Sequence, residues 1–260
     1  MKKQILLIVL LMLPLQDVLA DSAATKGLTI AQEMERRDSG WDDQTADMQM
    51  TLRNSRGDES HREIRARTLE IQGDGDKSLN IFNSPADVRG TAFLSFTHAK
   101  EPDDQWLYLP ALKRVKRIAS ANKSGPYMGS EFAYEDLSSQ ELENYSYKWL
   151  RDERLDGRET LVIERYPSYE HSGYTKQQVW VDKVMYQPLR VEYFDRKGTL
   201  LKTATFHGYQ QYLGRFWRPE RLEMINHQTG KSTTLRLDNY RFRTGLTASD
   251  FNSNSLKRVR

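Results

Sequence analysis

The class of fold is decided by the alternating stretch Ala46-Asp47-Met48-Gln49-Met50-Thr51-Leu52-Arg53. Successive side chains of a β-strand point to opposite faces of the sheet, so every second residue shares a face. One face of this strand is therefore apolar and the other is polar, as in an antiparallel strand that lies half against a core. The stretch predicts β-structure near the start of the folded region.

Similar segments continue along the chain with short turns between them. They lie at residues 78–83, 92–98, 105–109, 145–152, 160–165, 177–182, 189–195, 200–207, 221–226 and 233–240. The dipeptides Asp156-Gly157, Lys197-Gly198 and Thr229-Gly230 stand at hairpin positions, where glycine accepts positive φ. A further segment, residues 61–72, is highly charged and is predicted to be an edge strand or to face solvent. The fold class is therefore mainly β with a few helices, on a large curved antiparallel sheet.

Two parts of the chain interrupt this pattern. A helix is predicted to begin at Thr29, with Gln32 at capping-box spacing, and to stop at Gly40. Residues 120–140 form a long connection in which only residues 134–142 have a short helical pattern. Because long connections often cover a site, we expect the helix and this connection to form a lid over one face of the sheet.

The N-terminal twenty residues resemble a secretory signal. Lys2 and Lys3 precede an apolar run at residues 5–15, and Val18-Leu19-Ala20 offers small residues for cleavage. A membrane anchor is the alternative, but a span needs about 20 apolar residues and this run is shorter and contains Pro14. We therefore expect residues 1–20 to be removed on export and residues 21–260 to form a single soluble domain. The chain has no cysteine, so no disulfide can stabilise it.

A strongly curved sheet can leave a cavity on its concave face, because the side chains there do not fill the space. Methionine and aromatic side chains adapt well to irregular apolar guests. The alternative for each such residue is an ordinary place in the core. The residues that we expect to line this ligand cavity are Met48, Met50, Leu52, Leu94, Phe96, Trp106 and Tyr108.

The overall charge does not indicate nucleic acid as a partner, since 39 basic and 36 acidic side chains leave a net charge of only +3. The basic run at residues 113–117 is a local exception. Arg114 and Arg117 in this run could contact anionic headgroups or a membrane protein, although a solvated strand end is an equal interpretation. Arg89, beside Gly90, could orient a headgroup, and its alternative is an ion pair with Asp87 or another carboxylate.

Enzyme motifs give little support for catalysis. Ser120-Ala121-Asn122-Lys123 has the Ser-x-x-Lys spacing of penicillin-recognising enzymes, but the sequence lacks the Ser-Asp-Asn and Lys-Thr-Gly motifs that accompany it. The sequence contains no Gly-x-Ser-x-Gly elbow, and its five histidines lack metal-ligand spacing. We therefore expect a protein that is not an enzyme and that binds no metal and no cofactor.

Three linked segments resemble the outer-membrane lipoprotein-sorting protein family, whose members are relatives of the periplasmic lipoprotein carrier. The segments are residues 87–94, residues 105–118 and Met128-Gly129-Ser130-Glu131-Phe132-Ala133-Tyr134-Glu135-Asp136-Leu137. Further matches occur at residues 180–183, 186–188 and 198–202, at Phe251 and at Leu256. The resemblance thus covers essentially the whole chain after the signal segment.

This resemblance implies a half-open barrel whose concave face is covered by a helical and loop lid. It also implies a carrier that holds a lipid or a lipoprotein acyl moiety for transfer across the envelope, with Phe132 added to the cavity candidates. Its partners would be lipid or lipoprotein acyl chains, an inner-membrane exporter of the resistance-nodulation-division type and an outer-membrane acceptor. The alternative is an accessory protein that binds such an exporter or another envelope protein, without cargo.

Overall fold

A computed structural model describes residues 15–258, and about half of these residues lie in strands. This part of the chain has one α-helix, α1 (Leu15–Arg37), and short 3₁₀ turns. Its strands are β1 (Asp43–Arg53), β2 (Glu59–Leu69), β3 (Lys77–Ser84), β4 (Ala92–Phe96), β5 (Asp104–Leu109), β6 (Arg114–Ile118), β7 (Tyr145–Leu155), β8 (Arg158–Pro167), β9 (Tyr174–Asp182), β10 (Pro188–Asp195), β11 (Leu200–His207), β12 (Gln210–Tyr212), β13 (Phe216–Arg218), β14 (Arg221–Asn226) and β15 (Ser232–Phe242).

Thirteen of these strands form one antiparallel sheet in the order β6-β5-β4-β3-β2-β1-β15-β14-β11-β10-β9-β8-β7. The sheet is curved but not closed, because β6 and β7 stand at its two edges, and this confirms the predicted half-open barrel. Strands β12 and β13 form a separate hairpin that the sequence did not predict. The three predicted hairpins are confirmed, since β7 pairs with β8, β10 with β11 and β14 with β15.

One prediction about a single element is wrong, and another is confirmed only in its alternative of a strand that partly faces solvent. Thr29 does not cap a helix, because α1 has already begun and the Thr29 hydroxyl donates to the Thr25 carbonyl at 2.9 Å. Strand β2 is not an edge strand, because it pairs with both β1 and β3. Its inward side chain Ile64 is only 1% exposed, while the neighbouring Glu63 faces solvent. The predicted signal segment lies mostly outside the described residues, and its cleavage stays a prediction.

The sheet is covered on both faces, which we call inner and outer. The inner face packs against α1 and the connection between β6 and β7, and its core includes Met50, Ile64 and Phe93. On the outer face, a second cluster contains Leu79, Ile81, Ala92 and Leu94, covered by Phe251 and Leu256 from the C-terminal segment. Strands β3 and β4 therefore contribute to two separate apolar layers.

Helix α1 lies against the edge strand β7 through a close approach at Gly27. A Cβ atom at this position would lie 2.7 Å from the backbone nitrogens of Lys148 and Trp149, so only glycine permits the contact. The Lys26 ammonium stands 3.4 Å from the centre of the Trp149 ring, and Ile30 is buried in the inner core. Within residues 15–258, no helix is both long enough and apolar enough to span a bilayer.

Candidate functional site

The connection between β6 and β7, residues 119–144, joins the two edges of the open sheet across its inner face. We call it the strap. It contains short 3₁₀ turns at Tyr127–Gly129, Tyr134–Leu137 and Leu142–Asn144. Its Tyr127 and Phe132 are 1% and 3% exposed and belong to the inner core. The Tyr127 ring meets the Phe93 ring edge-on at 5.2 Å, so the strap is a packed layer of the protein.

A buried ion pair fixes the middle of the strap to β11. The Lys202 ammonium lies 2.6 Å from an Asp136 carboxylate oxygen, and these side chains are only 5% and 1% exposed. Lys202 also donates to the Glu131 carbonyl at 2.9 Å, and Asp136 accepts the Tyr174 hydroxyl at 2.8 Å. Each buried charge thus has its countercharge and a further hydrogen bond, which a buried ion pair requires.

Other strap carboxylates bind the connection between β8 and β9 and the strand β14. Glu135 accepts hydrogen bonds at 2.9 Å each from the Tyr169 and Ser172 hydroxyls and from the Gly173 backbone N–H. Burial nevertheless raises the pKa of Glu135 above its usual value, and the neighbouring Asp136 adds to the shift. The Glu131 carboxylate accepts a hydrogen bond from the Asn226 amide at 2.7 Å. The strap is therefore held across several strands by hydrogen-bonded charges.

A cavity of about 1060 Å³ remains between α1, the strap and the inner face of the sheet. This volume is slightly above the roughly 300 to 1,000 Å³ that ligand pockets usually have. Its apolar wall comes from four neighbouring strands, with α1 and the strap on the other side. The apolar residues that line it include Ala31, Met34, Leu137, Leu142, Ile163, Val179, Val191, Tyr193 and Phe206.

The polar part of the cavity lining, which we call the rim, is rich in carboxylates. It includes Glu35, Asp38, Glu70, Asp74, Asp76 and Glu141, with Arg36, Arg165, Arg215 and Arg218 among them. Burial and the neighbouring Asp76 raise the pKa of Glu141 to about 8. Burial likewise raises the pKa of Asp76 to about 6, although Asp76 accepts the Ser139 hydroxyl at 3.0 Å. The free energy of unfolding therefore depends on proton binding by these two carboxyl groups near neutral pH.

We expect a glutamine at Glu141 to remove part of the pH dependence of stability. Because the pKa of folded Glu141 is about 8 and its usual value is 4.5, the folded protein binds the extra proton between these two values. Stability must then fall as pH rises through this window. Denaturation of Glu141→Gln in urea should show a smaller loss of unfolding free energy between about pH 5 and about pH 9.

The control for this experiment is Glu101→Gln, which changes an exposed glutamate. It should keep the pH dependence of the unsubstituted protein. An identical slope in the Glu141→Gln variant and the unsubstituted protein would contradict the raised pKa of Glu141.

The structure separates the residues that were predicted to share one concave face. Met48, Met50 and Leu52 do share the inner face of β1, and Phe132 joins the inner core from the strap. On the outer face, by contrast, lie Leu94, Phe96, Trp106 and Tyr108, packed with the C-terminal segment. The lining of the large cavity contains none of these eight residues. The expected common face is thus corrected, because the inner side of β4 and β5 carries Phe93 and Leu107 instead.

The three predicted arginine contacts also lie apart from the cavity. The Arg89 guanidinium donates to the Asn83 carbonyl at 3.0 Å and, among the described residues, forms no ion pair with Asp87. Arg117 pairs with Asp104, and Arg114 is exposed on the edge strand β6. Across residues 15–258, no group of three His, Asp or Glu side chains converges as metal ligands would.

Comparisons with known proteins give a consistent set of relatives. A family model described as "Uncharacterized protein" matches residues 74–258. A Vibrio parahaemolyticus domain named for outer membrane lipoprotein sorting is 58% identical, with a TM-score of 0.89, and the match covers 90% of this chain and 100% of that one. A DUF1329 family protein from Desulfovibrio piger is 27% identical, with a TM-score of 0.86 and coverage of 90% and 99%.

A LolA superfamily protein from Nitrosomonas europaea has the same fold. It is 21% identical, with a TM-score of 0.70, and the match covers 87% of this chain and 97% of that one. No curated protein matches the sequence.

Proposed function

The chain belongs to the outer-membrane lipoprotein-sorting protein family, and we propose that it is a periplasmic carrier for a lipid or a lipoprotein acyl moiety. The single observation that carries this proposal is the cavity of about 1060 Å³ with an apolar wall. Burial of an acyl chain gains about 0.8 kcal/mol per methylene. A tail of roughly ten buried methylenes would therefore gain about 8 kcal/mol before ordering costs, which is enough for binding without covalent chemistry.

The cargo lies, in this proposal, against Val179, Val191 and Phe206 on the sheet and against Met34 of α1. These side chains replace the set first expected from the sequence, since they line the cavity. We propose binding rather than catalysis, without a cofactor, by one domain at residues 21–260 that follows a cleaved signal segment at residues 1–20. An inner-membrane exporter and an outer-membrane acceptor are the proposed donor and acceptor.

Release of cargo requires one side of the cavity to yield, and we propose that residues 137–142 of the strap do so. The strap is fixed at Asp136 by the buried pair with Lys202. Beyond that point its bonds to the sheet include the Ser138 hydroxyl with the Gln105 amide, at 3.1 Å, and the Ser139 hydroxyl with Asp76. These hydrogen bonds contribute only about 1 to 3 kcal/mol each, and removal of one partner of a buried ion pair costs about 3 to 5 kcal/mol, so this part of the strap opens more easily than its fixed middle.

The test is to extract lipid from the protein after purification from its native periplasm without detergent. Mass spectrometry should find a bound lipid close to one molecule per chain. The carrier proposal fails if the protein is free of lipid and stays so after incubation with total envelope lipids. Capture of an exporter by such lipid-free protein would instead support the accessory role.

A further inference from the structure

The turn between β5 and β6 combines an exposed apolar side chain with a run of bases. It is formed by Pro110–Leu112 and Lys113, and Lys113 adopts a left-handed backbone with φ of 49°. Leu112 is 56% exposed and packs in neither apolar cluster. An exposed leucine on its own needs no explanation, but this one directly precedes four bases in five residues.

These bases are Lys113, Arg114, Lys116 and Arg117, and we call them, with Leu112, the basic edge. All four are exposed. Among the residues that the structure describes, only Arg117 of the four has a carboxylate partner, Asp104. Strand β6 ends the sheet, so no neighbouring strand covers the basic edge. The C-terminal 3₁₀ segment Ser253–Arg258 packs nearby and adds the exposed Lys257.

Lys113 and Arg114 of the basic edge lie at the opposite end of the strands from the β2–β3 turn, whereas Arg117 lies toward that turn, because it pairs in register with Trp106 and forms an ion pair with Asp104. Next to the β5–β6 turn, Leu109 of β5 pairs with Arg114 of β6. At the same end of the sheet, Tyr108 of β5 pairs with Ala92, the first residue of β4. The rim residues Glu70 to Asp76 belong instead to the turn between β2 and β3, beyond the pair Leu69 and Lys77. The unpaired bases Lys113 and Arg114 are thus at the opposite end of the strands from the carboxylates of the β2–β3 turn.

We propose that the basic edge docks this protein on an anionic lipid surface, with Leu112 entering the interface. Unpaired bases are attracted to anionic headgroups, and an adjacent apolar side chain adds burial in the interfacial region. The same geometry keeps the carboxylates of the β2–β3 turn away from the surface on which the β5–β6 turn docks. The docking surface is independent of cargo, and so goes beyond the carrier function proposed above.

The competing explanation is that the charges only protect an open sheet edge from pairing with another chain. That explanation gives Leu112 no role, and it predicts aggregation when the bases are removed. Docking predicts that lipid composition, ionic strength and Leu112 all control binding to a membrane.

The experiment is cosedimentation of the protein, purified from the periplasm, with lipid vesicles. We expect binding to vesicles of phosphatidylethanolamine with phosphatidylglycerol and little binding to phosphatidylcholine alone. Salt at about 1 M shortens the screening length to about 3 Å and should release the protein. The double variant Lys113→Glu with Arg114→Glu should weaken binding at least about tenfold, and Leu112→Ser about fivefold.

The matched control is Arg236→Glu with Arg241→Glu, which changes two exposed bases on β15 and gives the same change in net charge. It should bind anionic vesicles nearly as well as the unsubstituted protein. Docking is overturned if the protein ignores vesicles, binds neutral and anionic vesicles equally, or loses the same affinity in both double variants. Lipid extracted from the Lys113→Glu, Arg114→Glu variant should be unchanged, so failure of docking and failure of the carrier function are separate results.

Discussion

Replacement of Val191 by tryptophan is expected to abolish most lipid binding while the protein stays folded. Val191 lies on β10, is 2% exposed and lines the cavity between the sheet and α1. The larger indole has nowhere to extend except into this space. If it displaces about four methylenes of an acyl chain, binding loses about 3 kcal/mol, which is roughly a hundredfold in affinity.

Two measurements make this result interpretable. Equilibrium binding of a fluorescent fatty acid gives the affinity, and a thermal melt shows whether the variant folds, since overpacking costs about 1 to 3 kcal/mol. The control Val115→Trp makes the same change on β6, where the side chain is half-buried in the outer cluster. It should bind the probe normally. Equal binding by both variants would show that the cavity is not the lipid site.

Replacement of Lys202 by methionine is expected to cause the largest loss of stability among single changes in the strap region. The variant leaves Asp136 charged, 1% exposed and without its countercharge. Removal of one partner from a buried ion pair costs about 3 to 5 kcal/mol. Urea denaturation should therefore show this fall in the free energy of unfolding, and protease should cut the strap more readily.

The control is Lys183→Met, which breaks a partly exposed ion pair with Asp152 at 2.9 Å. A pair of this kind is worth only about 0 to 1 kcal/mol. Removal of both buried charges, with Lys202→Met and Asp136→Leu together, should recover part of the lost stability, because no unpaired charge is then buried. Similar losses from Lys202→Met and Lys183→Met would contradict an anchoring role for the Lys202 pair.

The strands could be predicted from the sequence because most of them have one solvent-exposed face or end at a recognisable turn. Met48 and Met50 alternate with Asp47 and Gln49, and the structure places the methionines on the inner face. The hairpin glycines marked several strand ends in the same way. Local alternation and turn chemistry act within a few residues, so a single sequence contains this information.

The faces of β4 could not be predicted, because both are buried. Ala92, Phe93, Leu94 and Ser95 are all less than 2% exposed, so the strand shows no alternation that distinguishes inside from outside. Its outer face is apolar because Phe251 covers it from a segment more distant in sequence than any local pattern reaches. The assignment of Leu94 to a lipid cavity was therefore beyond what periodicity could decide.

The cavity lining was missed for a related reason. Strands β8 to β11 were predicted, but each contributes only one to three residues to the wall, and α1, the strap and several connections supply much of the rest. The one available signal was alternation within β10, where Val191 and Tyr193 share a face. Which face of these strands surrounds the cavity depends on where the strap crosses, and that is fixed by distant pairs such as Asp136 with Lys202.

The strand order places the first and last strands of the chain, β1 and β15, side by side in the centre of the sheet. From β1 the chain moves outward, hairpin by hairpin, to β6, crosses by the strap to β7 and returns inward until β15 pairs with β1. Each half thus contains mostly contacts between sequence neighbours, and a single seam joins residues about two hundred positions apart. Loop-closure entropy opposes the pairing of β1 with β15 more than it opposes the formation of any hairpin. Pairing of the two halves of the sheet is therefore the slow step in the folding of this protein.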